Sequence, residues 1–152
     1  MFFDIALQYD QQSLSCDLAI GSDGDLVVDD TPITPLLLSI ELDRRAAVDD
    51  ELPQGRDVFL SKYTNDPRRG SVCDCLDNNH DLIGSKCWLL DRAKQIEQTR
   101  LLFKMWLTQA VTWVKRETGL DPLISVEWVR AQTLRWRVAV DEYALSKTRG
   151  MD

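Results

Sequence analysis

No stretch of this chain is apolar for anything near the ~20 residues a helix needs to cross a bilayer. The opening Met1-Phe2-Phe3-Asp4 also lacks the basic start and continuous apolar region of a secretion signal. The chain is therefore expected to stay in the cytoplasm where it is made, with no membrane partner. There is a single histidine, His80, and no Gly-x-Ser-x-Gly elbow. A serine-based hydrolase of that kind is excluded. Gly21-Ser22-Asp23-Gly24 is a turn signal and too short for a dinucleotide fingerprint. Internal repeats and low-complexity segments are absent. Positive charge is scarce: 18 Lys and Arg against 25 Asp and Glu leave a net charge of −7. A general nucleic-acid surface needs clustered cations, so nucleic acid is not an expected partner.

What is present suits one domain. A chain of 152 residues, 44% hydrophobic and 28% charged, is long enough to bury most of its apolar surface and too apolar to be disordered. We read residues 1–145 as the domain and 146–152 as a polar, frayed C-terminal tail. Phe3, Ile5, Leu7 and Tyr9 alternate with polar neighbours, as do Leu14, Cys16, Leu18 and Ile20. This is the period of a half-buried strand. Gly21–Gly24 turns the chain, and Asp25–Val28 resumes as a strand. Thr34 and Pro35 suit a helix start, with the helix running from about Pro35 to Arg45. The stretch 47–82 reads as irregular, apart from a possible strand at Asp57–Leu60. A long connection of this kind is often functional. A short helix over Lys86–Arg92 and a long one over Ile96–Thr118 follow. In the long helix Thr99, Leu102, Phe103, Trp106, Ala110, Trp113 and Val114 form one apolar face. Gly119 and Pro122 end it. Two alternating runs, Ile124–Trp128 and Leu134–Val140, make a hairpin with Glu127 near Arg135 or Arg137. The predicted class is α+β: N-terminal antiparallel strands and a C-terminal hairpin packed around a long amphipathic helix, with two shorter helices.

Cys73, Cys75, His80 and Cys87 fall as C-x-C-x4-H-x6-C. Three thiolates and an imidazole are a legitimate zinc set. Paired cysteines in structural sites are usually two to four residues apart, however. Cys87 also falls where the helix pattern asks for an apolar residue. No metal site and no cofactor are expected, and a small zinc-binding adaptor is the weakest functional alternative. A Cys–His nucleophilic pair is likewise disfavoured, because His80 sits in a polar turn. Trp106, Trp113, Trp128 and Trp136 fit core positions; Trp88 fits either core or an interface anchor.

The most telling segment is Leu36-Leu37-Leu38-Ser39-Ile40-Glu41-Leu42-Asp43-Arg44-Arg45-Ala46, followed by Asp49-Asp50-Glu51-Leu52-Pro53. An oily helix would deliver one acid and two arginines at its end. Arginine makes bidentate contacts with carboxylates, so Arg44, Arg45, Arg68 and Arg69 could hold the acidic loop or dock a partner. Surface pairing alone cannot choose between those roles. A second block is Ile83-Gly84-Ser85-Lys86-Cys87-Trp88-Leu89-Leu90-Asp91-Arg92-Ala93-Lys94, and Gly24-Asp25-Leu26 with Asp29-Asp30 lies upstream.

In these blocks, in this order, the chain resembles the Mu-type baseplate wedge proteins of contractile-tailed bacteriophages over roughly Asp25 to Val140. One departure is Arg69-Gly70-Ser71-Val72-Cys73-Asp74, where that family usually carries Arg-Gly-Trp-Trp-Gly-Asp. The resemblance implies a structural subunit of the tail baseplate in the virion, made in the host bacterial cytoplasm. Its implied partners are the wedge scaffold protein, the tail sheath or sheath initiator, and other baseplate subunits. The candidate partner-binding residues are Asp43, Arg44, Arg45, Asp49, Asp50, Arg69, Trp88 and Arg92. A sheet edge at Leu134, Trp136, Val138 and Val140 is the candidate sheath contact. Distant relatives are described as lysozyme-like, so a peptidoglycan-cleaving enzyme is the alternative. It would need two carboxylates in different environments. Among Glu41, Asp43, Asp49, Asp50 and Glu51, only Glu41 is placed where it could be desolvated. No enzyme is expected.

Overall fold

A computed structural model of the chain describes residues 4–10, 15–53, 67–75 and 82–151. The possible strand at 57–60 and His80 lie outside the described residues. The chain opens with short antiparallel ladders. Strand β1 (Asp4–Ile5) pairs with β4 (Val28–Asp29), and β2 (Leu7–Asp10) pairs with β3 (Ser15–Leu18). An isolated bridge, Ile20 to Leu26, closes the turn around Gly24. At φ +83 this residue holds a left-handed conformation that costs glycine little.

Helix α1 spans Ile33–Glu41. It begins earlier than the Pro35 start read from the sequence, and Thr34 is not its cap. The cap is supplied from β4. One oxygen of Asp29 accepts from the Thr31 N–H and hydroxyl, and the other from the Thr34 N–H and hydroxyl. Those bonds satisfy orphan donors of the first turn. The helix also ends earlier, at Glu41, so Asp43, Arg44 and Arg45 lie beyond it in extended chain.

The block at Lys86–Leu90 forms a 3-10 turn, shorter than the predicted helix. The predicted helix over 96–118 is two helices, α2 (Glu97–Ala110) and α3 (Thr112–Thr118). They are separated by buried Val111 at φ −108 and ψ 19. Next to the break the Thr112 hydroxyl donates to the Gln109 carbonyl, and such back-bonding bends helices. Gly119 at φ +74 ends α3, as its position in the sequence indicates.

The C-terminal hairpin is in fact a three-stranded antiparallel meander: β5 (Leu123–Arg130), β6 (Thr133–Val140) and β7 (Tyr143–Gly150). The stretch from 146 on, expected as a frayed tail, pairs with β6 through Gly150. The Met151 N–H donates to the Gln132 carbonyl, and its side chain is buried. Alternation explains the strand: Tyr143 and Leu145 are partly buried while Ala144 and Ser146 are exposed. Since β6 is bonded on both sides, Leu134, Trp136, Val138 and Val140 do not form a sheet edge. Their side chains are all buried in the core. Among the described residues the outer strands of the sheet are β5 and β7.

One face of this sheet packs on the helices. Leu36 and Ile40 of α1, Phe103 and Leu107 of α2 and Val114 of α3 meet Val126, Leu134, Trp136, Val138 and Val140. A smaller cluster of Ala46, Trp88 and Leu89 gathers Leu52 and Trp106. Trp106 thus joins the two clusters. The fold is α+β, as predicted.

Two outcomes test this account. Met151→Ala should cost about 2 kcal/mol or more in urea unfolding, the range for truncating a buried side chain; a frayed tail would show no change. Asp29→Asn should cost about 1 kcal/mol near neutral pH, the usual size for a lost cap. Burial pushes the Asp29 pKa up, but its hydrogen bonds from Thr31 and Thr34 outweigh this and hold it below its ordinary 3.8. That stability is complete above 3.8 and disappears as pH falls through the lower folded value. The gap between the wild type and Asp29→Asn should therefore close in acid.

A candidate docking face built on one backbone joint

The two sequence blocks meet at a joint between the end of α1 and the residues before the 3-10 turn. The Ser85 N–H donates to the Leu42 carbonyl at 2.8 Å, and the Arg44 N–H donates to the Ser85 carbonyl at 3.0 Å. Together they form a parallel bridge between Asp43 and Ser85. The buried Ser85 hydroxyl donates to the Ile40 carbonyl at 2.8 Å and accepts from the Cys87 N–H. It therefore satisfies a carbonyl near the end of one helix and caps the next turn. Gly84 makes the approach possible. At φ +90, an added Cβ would lie 2.3 Å from the Leu42 carbonyl oxygen.

The joint fixes what lies around it. The Trp88 indole N–H donates to the Arg44 carbonyl at 2.9 Å, and Trp88 is 1% exposed. The Arg69 guanidinium stacks 4.3 Å above that ring and pairs with Asp43 at 2.6 Å. Arg45 donates to the Arg69 carbonyl, while Arg44 donates to the Leu82 carbonyl. Asp91 takes Arg149 of β7, and Glu41 takes Lys147 at 2.6 Å. On the other side, Asp50 accepts from the Ala47 N–H and pairs with Lys86 at 2.6 Å. The Lys86 and Asp50 side chains are 17% and 20% exposed, so this pair is better shielded than Arg69–Asp43 or Lys147–Glu41.

The candidate residues are thus only partly brought together. Asp43, Arg44, Arg45, Arg69 and Trp88 surround the joint; Asp50 is stapled beside it. Asp49 and Arg92 are exposed. Arg92 and Asp50 line a cleft of about 400 Å³ whose floor includes Leu89, Leu102 and Trp106. An apolar floor with a charged rim is the form of a pocket that receives a hydrophobic anchor. The sequence reading missed Lys147 and Arg149 because the tail was set aside, although Tyr143 and Leu145 alternate as in a strand. It also missed Lys86.

The Cys87 thiol is buried, and burial pushes it up to about 12. A thiol of that kind is inert. Cys75 is exposed, and its thiol donates to the Val72 carbonyl. Among the described residues no group of three His, Cys, Asp or Glu side chains could hold a metal ion. Glu41 is exposed and ion-paired, unlike the desolvated general acid of a lysozyme-type site. No helix among the described residues is long and apolar enough to cross a membrane.

This α+β chain, with its charged joint, belongs to a family of phage proteins. The family described as phage protein GP46 matches residues 32–146. A more particular relative is baseplate protein gp46 of Escherichia phage Mu, 34% identical over 97 residues. That match covers 63% of this chain and 59% of the relative, so the chain spans less than two thirds of the relative's length. No solved structure matches.

Gly84→Ala should lower stability by about 3 kcal/mol, the upper range for forced backbone strain, because Leu42 must move. Ser85→Ala should cost less, about 1–2 kcal/mol, through the unsatisfied Ile40 carbonyl. Denaturant melts of the two variants check the ranking; an undisturbed Gly84→Ala protein refutes the joint.

Proposed function

We propose that this chain is a structural subunit of a phage tail baseplate and resides in the virion. The observation that carries this reading is the family match, which spans every candidate residue from Asp43 to Val140. The name of the Mu relative supports it. In finer detail, the face around Asp43, Arg44, Arg45, Arg69 and the Asp50–Arg92 cleft docks the wedge scaffold protein, with Trp88 buried beneath Arg69 as its support and not as an anchor. Side chains already held in ion pairs lose little further rotamer freedom on binding. The cleft receives an apolar side chain of the scaffold, while Asp49 and Arg92 on its surroundings select charge. The sheath or its initiator meets an open edge of the meander, on β5 or β7, where unpaired backbone groups can accept a strand.

Arg92→Glu combined with Asp49→Lys tests the docking face, since both residues are exposed. Co-expression with the neighbouring baseplate subunits should show capture reduced about tenfold or more, some 1.4 kcal/mol, with an unaltered circular dichroism melt. Undiminished capture rejects this face.

A further inference from the structure

The charge of the chain is strongly polarised. Residues 1–43 contain nine acids and neither lysine nor arginine; all 18 cations follow. Much of this acidity lies on the N-terminal β arm, residues 4–10 and 15–29, with Asp17, Asp23 and Asp25 exposed. The arm also leaves apolar side chains uncovered: Ile20 is 69% exposed and Val28 is 59% exposed. Among the described residues no ion pair joins Asp17, Asp23 or Asp25 to the cations of the same chain. The carboxylates of Asp17 and Asp25 instead accept from the next backbone N–H.

The meander carries the opposite character on the face turned away from the helices. Register places Arg137 between Ser125 and Ser146, and Arg135 between Glu127 and Thr148. Glu127 reaches Arg135 at 3.5 Å; among the described residues no ion pair engages Arg137. Leu123, 75% exposed, and Val129 bring apolar area to the same face, where Ala139 pairs with Leu123 on one side and Ala144 on the other. This face carries two arginines against one glutamate and is partly apolar. The arm is acidic and partly apolar.

We propose that the two surfaces meet between copies, the acidic arm of one chain lying across the basic outer face of the next chain's meander. Each copy offers both surfaces, so the contact is heterologous and propagates, closing into a ring or continuing as a filament according to its rotation. The occupant is a second copy because this chain itself supplies the complementary charge together with exposed apolar side chains. The proposal does not rest on the scaffold-docking face, which uses Asp49, Arg92 and the cleft beside them; it shares with the sheath reading only the meander, of which it uses the outer face and not a strand edge.

Sedimentation velocity of the full chain decides it. At about 0.01 M salt, where the Debye length is roughly 30 Å, mass should rise with concentration; at about 1 M, where it is roughly 3 Å, the 17.4 kDa monomer should return. Arg135→Glu with Arg137→Glu should weaken association about tenfold or more, and so should Asp17→Lys with Asp25→Lys. Mixing the two variants restores both complementary contacts and should restore association. A wild type that stays monomeric at every concentration in low salt overturns the proposal. So does association that survives the sheet-face reversal, or a mixture no better than its parts. In each case the scaffold-capture experiment is unaffected.

Discussion

The structure hangs on the place where Gly84 and Ser85 cross the end of α1. Backbone groups of Leu42, Arg44 and Ser85 exchange hydrogen bonds there, and the Ser85 hydroxyl reaches the Ile40 carbonyl. A polar side chain at 3% exposure is acceptable only because its hydroxyl is satisfied. The glycine before it is there because any Cβ would strike the Leu42 carbonyl. The two sequence blocks that stand out in this chain are therefore halves of one joint. Their separation along the chain hides that they are neighbours in space.

The charges around the joint gain position from it more than they give stability. Surface pairs such as Arg69–Asp43, with side chains 37% and 41% exposed, contribute about 0–1 kcal/mol each. Burying side chains such as Trp88 and Leu36 contributes more, roughly 1.5–3 kcal/mol for a fully buried aliphatic chain. Arg69 nevertheless has a defined seat because Trp88 is locked beneath it by its bond to the Arg44 carbonyl. A weak pair on a rigid base is a prepared surface, and preparation lowers the ordering cost of binding. Family membership places this surface in a phage protein; the geometry shows that the arginines at 44, 45 and 69 are held in place by carbonyls, a carboxylate and a ring.

Local pattern was legible where one face of an element is buried and the other is wet. Alternation revealed β5 and β6, and three- and four-residue spacing revealed the apolar face of α2 and α3, with Gly119 as their stop. Ends were less legible. The cap of α1 comes from Asp29 on another element, which no local rule around Thr34 can show. The helix stops at Glu41 because the next carbonyl is claimed by Ser85, a partner more than forty residues away. The tail looked frayed because β7 is polar and edge-placed, with Lys147 and Arg149 reaching carboxylates across the fold.

Composition and spacing by themselves determined the α+β class, the apolar faces, and the clustering of acids and arginines around residues 43–50 and 68–69. The residue motifs at 39–53 and 83–94 carried the resemblance to phage baseplate proteins. Tertiary structure alone decided which arginine sits over which ring and that β6 lies inside the sheet. The reason is physical: periodicity reports which side of an element avoids water, whereas hydrogen bonds and ion pairs between distant segments depend on where the packed elements bring their atoms.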